Sequence, residues 1–273
     1  MDYKKSMIIL IFFYITILYM PYKIVKIRNK DLYKVINTET KKIYSKGSTK
    51  ENALKQKKLL YLLEKNKMSG GKIPAKDLKK IIEASYDKNE YDINNYDIDE
   101  DLSDNRVKVY KNKDNGEIII SHRGSQDARD WIDNAKFVIT GNVKNSKTYK
   151  YHKKKQQQAI NKYGRDKKIT TIGHSRAGLY TDELLREGLT DEGIAVNRPL
   201  HVRDVIKKKP KKLYDVRSKN DPVSLLYGLK RDKTNDLVIP STTSNILNEH
   251  SYNILDRIPE DTMIGGIAKY KYI

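Results

Sequence analysis

The chain of 273 residues contains no cysteine. That excludes disulfides, cysteine-based zinc sites and a thiol nucleophile, and leaves the redox compartment open. Arginine is scarce beside lysine, whereas Ile, Asn and Tyr are abundant, as in proteins from A/T-rich genomes. Acids are also few, 35 against 55 basic residues, giving a net charge of +20. Such a surplus invites a nucleic-acid reading, but lysine lacks the planar fork that reads phosphates and bases two atoms at a time. Two parts of the basicity are therefore assigned to genome bias and one to function. The apolar share of 38% is modest. It falls in periodic runs, so a packed core is expected.

Long uncharged runs are equally scarce, and the main one is at the start. Residues 7 to 20, MIILIFFYITILYM, carry no charge and follow Lys4 and Lys5. Their length suits the apolar part of a signal peptide. No small-residue cleavage site follows, because Pro21, Tyr22 and Lys23 come next. With Lys23 snorkelling, the run extends to Val25 and is long enough to span a bilayer. The first reading is an uncleaved membrane anchor over 1–22, the second a cleaved signal that leaves a secreted chain.

Residues 23 to 67 carry 14 Lys/Arg against four acids, half of the whole net charge. They read as strand, turn, strand and helix, a small basic ββα module. Ser48 and Glu51 have capping-box spacing, and Ala53, Leu60 and Leu63 share one helical face. Two readings stand for the module: a solvated helix on two strands, or a surface for nucleic acid or an acidic membrane face. The glycine pair in residues 66 to 72 marks a linker. From 68 to 273 strands and helices alternate, with helices at 74–85 (Leu78, Ile81 and Ile82 inward) and 149–163. Residues 88–105 read as an acidic loop, and 106–111 and 117–122 as a hairpin. Further strands are expected at 168–172, 193–197 and 213–217. This order predicts an α/β fold, a mostly parallel sheet flanked by helices. The runs KKKQQQ (153–158) and KKKPKK (207–212) read as solvated surface.

The segment KKITTIGHSRAGLYTDELLREG, residues 167 to 188, places Ser175 between a β-branched strand and a helix with Leu184 and Leu185 inward. That is the setting of a nucleophile elbow, in which a serine sits on a sharp turn at the top of a sheet. Gly173, His174 and Ala177 complete the pentapeptide, with the second glycine displaced to Gly178. A serine hydroxyl is a poor nucleophile until a base takes its proton and an acid orients that base. In α/β-hydrolase order the acid and then the histidine follow the serine. Asp221, in a turn before Pro222, and His250 satisfy it. His201 precedes Asp221 and breaks the order, and Asp215 lies within a strand and reads as structural. Two backbone N–H groups must then face the developing oxyanion. Arg176, next after the serine, supplies one, and Ser125 the other, from a loop that Gly124 lets approach.

IIISHRGSQDARDWIDN, TTIGHSRAG, SKNDPVSLL and EHSYNIL, in that order, resemble the class 3, or fungal-type, lipases over about residues 74 to 256. The resemblance implies an α/β-hydrolase fold and a Ser175–Asp221–His250 triad with Ser125 and Arg176 at the oxyanion. It also implies a carboxylic-ester substrate, most simply an acyl lipid, with no metal and no organic cofactor. The basic module further resembles a short module in lipase-like proteins of large DNA viruses and virophages. The chain departs from the lipase pattern at Ala177 and in the 29 residues from acid to histidine. It departs also in residues 126–136, where Ala128, Trp131, Ile132 and Ala135 stand among charges instead of forming an apolar lid. The alternative reading is a degenerate hydrolase fold that presents the basic module to nucleic acid or an anionic membrane.

Overall fold

The computed structural model describes residues 21–65, 73–87, 93–125, 143–243 and 245–265. The apolar run 7–20, the linker 66–72 and the lid segment 126–136 lie outside them. Among the described residues no helix is long and apolar enough to cross a membrane.

The chain opens with three antiparallel strands, β1 (Tyr22–Lys26), β2 (Tyr33–Asn37) and β3 (Ile43–Ser48), followed by helix α1 (Lys50–Lys65). The basic module is thus βββα, not ββα. Its first strand was hidden because Ile24 and Val25 read as a continuation of the apolar run, yet each pairs with β2. Thr49, not Ser48, caps α1, accepting the N–H of Asn52 at 3.3 Å. Ala53 and Leu60 are buried against Tyr22, Val35 and Tyr44, as the helical periodicity requires.

A two-residue strand β4 (Ile73–Pro74) leads into α2 (Ala75–Ala84), where proline supplies the fixed φ that suits a helix start. The large sheet begins with β5 (Tyr96–Ile98), inside the segment read as an acidic loop. Three residues with two exposed give no alternation to detect. β6 (Val107–Asn112) and β7 (Ile118–His122) form the expected hairpin. Helix α3 (Lys147–Tyr163) starts earlier than expected, because Ser146 caps it through the N–H of Tyr149. Then come β8 (Ile169–His174), α4 (Arg176–Arg186), β9 (Glu192–Val196), α5 (Val202–Ile206) and β10 (Leu213–Ser218). The last elements are β11 (Asp236–Ile239), α6 (Ile246–His250) and β12 (Met263–Ile264), which pairs with β4. β11 was not foreseen either; its four residues are buried or nearly so and carry no turn signal.

The seven strands run in the order β11-β10-β9-β8-β7-β6-β5, parallel from β11 to β7 and antiparallel at β6 and β5. Side chains alternate between two cores, as the pleat dictates. Ile119, Ile172, Ile194 and Val216 face α2, Leu59 of α1 and the turn carrying Ile254 and Leu255. Ile118, Ile120 and Ile169 face α3 and α4. The fold is a mostly parallel α/β sheet with helices on both faces, as expected. Leu59 shows that the basic module shares one of these cores.

Both charge runs read as solvated surface contain a buried exception. Gln156 donates to Thr171 Oγ1 at 3.0 Å and to the Leu189 carbonyl at 2.9 Å. Lys209 is buried and pairs with Asp215 and Asp236. Charge density reports the average of a run, not the one side chain its helix or turn sends inward.

His122 and His152 meet under the sheet, Nδ1 to Nδ1 at 3.0 Å, and His122 Nε2–H donates to Gln156 Oε1. Burial holds them neutral, lowering His122 to about 4 and His152 to about 2, the latter also through its neighbour His122. A histidine whose folded value is depressed leaves stability intact above the unfolded value of about 6.5. Below it the unfolded chain takes up protons that the native state refuses. With His174, also depressed (below), the slope should approach about 4 kcal/mol per pH unit between pH 6.5 and 4. Chemical denaturation at stepped pH measures this, and a flat stability between pH 7 and 5 contradicts neutral burial.

Candidate active site

The parallel register brings distant segments to one edge. His122 on β7 lies beside Gly173 on β8, and His174 beside Val196 on β9. Residues 123–125 therefore emerge next to the turn at Ser175. The loops after β10 and β11 carry Asp221 and His250 to the same carboxyl end, where open α/β sheets hold their ligands.

Ser175 has φ +56° and ψ −130°, a backbone region that a residue with a side chain rarely occupies. Such strain costs about 1–3 kcal/mol and persists only when its surroundings enforce it. The Ser175 N–H is tied to the Val196 carbonyl at 2.9 Å, and its own carbonyl accepts the Gly178 N–H at 2.9 Å. At Gly173 an added Cβ would collide with the Ala177 carbonyl, and at Gly178 with the Cβ of Arg198. The second glycine is therefore needed at 178, where α4 crosses the loop after β9, and alanine fits at 177.

His250 ends α6, whose cap Asn245 accepts the N–H groups of Leu247 and Asn248. Its Nε2 lies 2.8 Å from Ser175 Oγ and its Nδ1 2.7 Å from Asp221 Oδ1. A carboxylate only accepts, so Nδ1 carries the proton and Nε2 is left to receive the serine hydroxyl. Asp221 is buried, and its Oδ1 also takes the Val223 N–H at 3.3 Å. All three groups sit at 1–7% exposure, which keeps the charge interactions among them strong.

The segment before His250 is fixed by residues that the sequence reading did not single out. Glu249 is buried beside Arg257 at 2.9 Å, with the Thr242 and Thr243 N–H groups both at 3.1 Å and Ser218 Oγ adjacent. Asn197, at φ +47°, donates to the carbonyls of Glu249 and Ser251 and accepts the Ser218 N–H at 2.9 Å. It ties the ends of β9 and β10 to the histidine segment.

Tyr86 was also missed. The Gly124 N–H donates to its hydroxyl at 3.1 Å, and the hydroxyl donates to His174 Nδ1 at 2.8 Å. The remaining nitrogen, Nε2, donates to the His250 carbonyl at 3.0 Å. This chain requires a neutral His174, and burial followed by the neighbouring His250 lowers that imidazole to about 3. An elbow position with no assigned role thus links the 123–125 loop to the backbone of His250.

Gly124 packs directly on the elbow. A Cβ there would lie 2.6 Å from the His174 carbonyl and 3.1 Å from Ser175 Cβ. Next to it Ser125 holds a buried hydroxyl with no hydrogen-bond partner among the described residues. Arg176 begins α4, whose first N–H groups have no partner within the helix. The structure thus brings together Ser175, Asp221, His250, Gly173, His174, Ala177, Ser125 and Arg176. His201 is elsewhere, capping α5 through the Arg203 N–H at 3.0 Å. Among the described residues no group of three or more His, Asp or Glu side chains is arranged to hold a metal.

No family model matches the chain, and no curated protein matches it. Among solved structures the chain is similar to the crystal structure of Lip2 lipase from Yarrowia lipolytica, at 15% sequence identity and a TM-score of 0.45, over 74% of this chain and 88% of that one.

Proposed function

We propose that the protein is a serine hydrolase of carboxylic esters, acting on acyl esters of lipids through an acyl-enzyme. The observation that carries this reading is the unbroken hydrogen-bonded chain from Ser175 Oγ through His250 to Asp221, 2.8 and 2.7 Å, starting from a strained elbow. Ser175 Oγ attacks the ester carbonyl while His250 Nε2 takes its proton, and Asp221 holds the tautomer and stabilises the imidazolium. The tetrahedral oxygen is received by the N–H groups of Arg176 and Ser125, with the Ser125 hydroxyl as a third donor. One such donor is worth about 3 kcal/mol of barrier. His250 then protonates the leaving alcohol, and water repeats the sequence to release the acid. The triad needs no metal or organic cofactor for these steps. Residues 7–20 are proposed to hold the enzyme at a membrane, where lipid esters are found; full-length chain recovered in the soluble fraction would overturn that part.

The direct test is a covalent fluorophosphonate probe on wild type and Ser175→Ala, followed by a panel of acyl esters. Wild type should label and Ser175→Ala should not; an unlabelled, folded wild type would favour the degenerate binding fold.

The Tyr86–His174 chain gives a smaller prediction. Tyr86→Phe removes the donor to His174 and the acceptor for Gly124, so the loop and His250 lose their common brace. One neutral hydrogen bond corresponds to roughly tenfold in rate. The loss should fall on kcat, with KM little changed, because the brace touches no substrate. Steady-state kinetics on a short-chain ester checks it, and an unchanged kcat removes Tyr86 from the site.

A further inference from the structure

The basic module and the hydrolase-like sheet meet around a cavity of about 430 Å³. Four cationic side chains line it, Lys55 from α1 and Arg217, Lys219 and Lys233 from the sheet side, and among the described lining residues there is no carboxylate. Leu59, Val238 and Pro240 supply apolar wall between them.

Two features mark the cavity as built for negative charge. The first is Arg217, 1% exposed. Behind it lies a buried network in which Arg198 pairs with Asp204 and Asp215, Lys230 with Asp215 and Asp236, and Lys209 with the same two aspartates. Four cations, counting Arg217, face three carboxylates. Arg217 makes no ion pair there: its Nη2 donates to the Arg198 carbonyl at 3.2 Å, and its guanidinium stacks 4.2 Å from the centre of the Tyr227 ring. Among the described residues its Nε and Nη1 have no hydrogen-bond partner. Asp215 feels the Arg217 charge but is already shared by three other cations. A buried guanidinium with no carboxylate bonded to it is costly, and an external anion would offset that cost. The second feature is that Lys55 and Lys219, from the two sides, face the same cavity. Lys219 is held below the ordinary lysine value, chiefly by Lys55, whose own carboxylate partner is Glu51 one turn back on α1. An anion seated between the two ammonium groups relieves that repulsion.

We propose that this cavity is a second binding site, separate from the triad, for a phosphomonoester carried on an apolar chain. The phosphate is met by Lys55, Lys219 and Arg217, and the chain lies along Leu59, Val238 and Pro240. This gives the basic module a ligand, and the site exists only because the module packs on the sheet. It does not depend on the esterase reading, since none of its residues belongs to the triad.

The test is isothermal titration of the full chain, at moderate ionic strength, with hexyl phosphate and separately with inorganic phosphate. Flotation with phosphatidic acid vesicles and with vesicles of phosphatidylcholine alone accompanies it. The variant is Lys55→Gln with Lys219→Gln, two side chains at the cavity mouth, and the charge-matched control is Lys57→Gln with Lys58→Gln. Hexyl phosphate should bind wild type and control with one-to-one stoichiometry, and the variant at least tenfold more weakly, as losing charged hydrogen bonds requires. Retention on phosphatidic acid vesicles that the variant loses assigns the phosphate to a lipid surface. Hexyl phosphate binding without retention assigns it to a free amphiphile. Inorganic phosphate binding as tightly as hexyl phosphate overturns the apolar half of the site. Absence of saturable binding, or equal weakening in the control, overturns the site itself.

Discussion

Replacing His250 by alanine is expected to lower ester turnover by about six orders of magnitude, to the level of Ser175→Ala. The reason is the single proton path. His250 Nε2 stands 2.8 Å from Ser175 Oγ, and no other imidazole reaches that oxygen. His174 is nearest in the chain, but both its nitrogens are committed, to Tyr86 and to the His250 carbonyl. Without the base, the serine attacks as a neutral hydroxyl, and without the serine the base has nothing to activate. The double variant should therefore be no worse than either single one, since residues acting as a unit are not additive. His201→Ala is the matched control. Its ring caps α5, so the change should cost about 1 kcal/mol of stability and little activity. Rates on a chromogenic short-chain ester, with circular dichroism as the check on folding, decide it. A folded His250→Ala variant with near wild-type turnover would end the assignment.

What the sequence disclosed follows from the range over which each signal acts. The elbow was legible because strand, glycine, serine and helix fall within ten residues and each has its own steric reason. Asp221 and His250 were legible through chain order and through Pro222, which fixes a turn. The supports of these residues were not. Tyr86 lies 88 residues from His174, and its role exists only once β7 and β8 pair in register. Asn197 and Glu249 have side chains of a kind found in any loop, and nothing local tells a buried clamp from a solvated one. The missed strands fail for a related reason. β1 was absorbed into a longer apolar run, and β5 and β11 are too short for alternation to stand out against the surrounding loop. Lys209 and Gln156 make the same point for charge runs, where one inward side chain is invisible among its solvated neighbours.

Two aspartates six residues apart should fail in opposite ways. Asp221→Asn keeps the volume and the turn, since Asn can still accept the Val223 N–H. It loses the charge facing His250 Nδ1 at 2.7 Å. An amide can donate to that nitrogen, which favours the tautomer with the proton on Nε2, where it blocks the serine, and it no longer stabilises the imidazolium. Turnover should fall by about four orders of magnitude with stability little changed. Asp215→Asn acts within β10, where Asp215 lies beside Asp236 at the start of β11. Its carboxylate is shared by Arg198 at 2.7 Å and Lys230 at 2.6 Å in a site closed to water. These neighbours hold it well below the usual carboxylate range, with Arg198 the largest favourable contributor against the burial that opposes it. Removing that charge leaves three buried cations, Lys209 included, short of a partner, a loss of about 3–5 kcal/mol. Activity per folded molecule should stay near wild type, because nothing in that network touches the triad. Denaturant melts and kcat for the folded fraction separate the two effects. If Asp221→Asn retains a tenth or more of wild-type turnover while His250→Ala is inactive, the acid that orients the base is another residue.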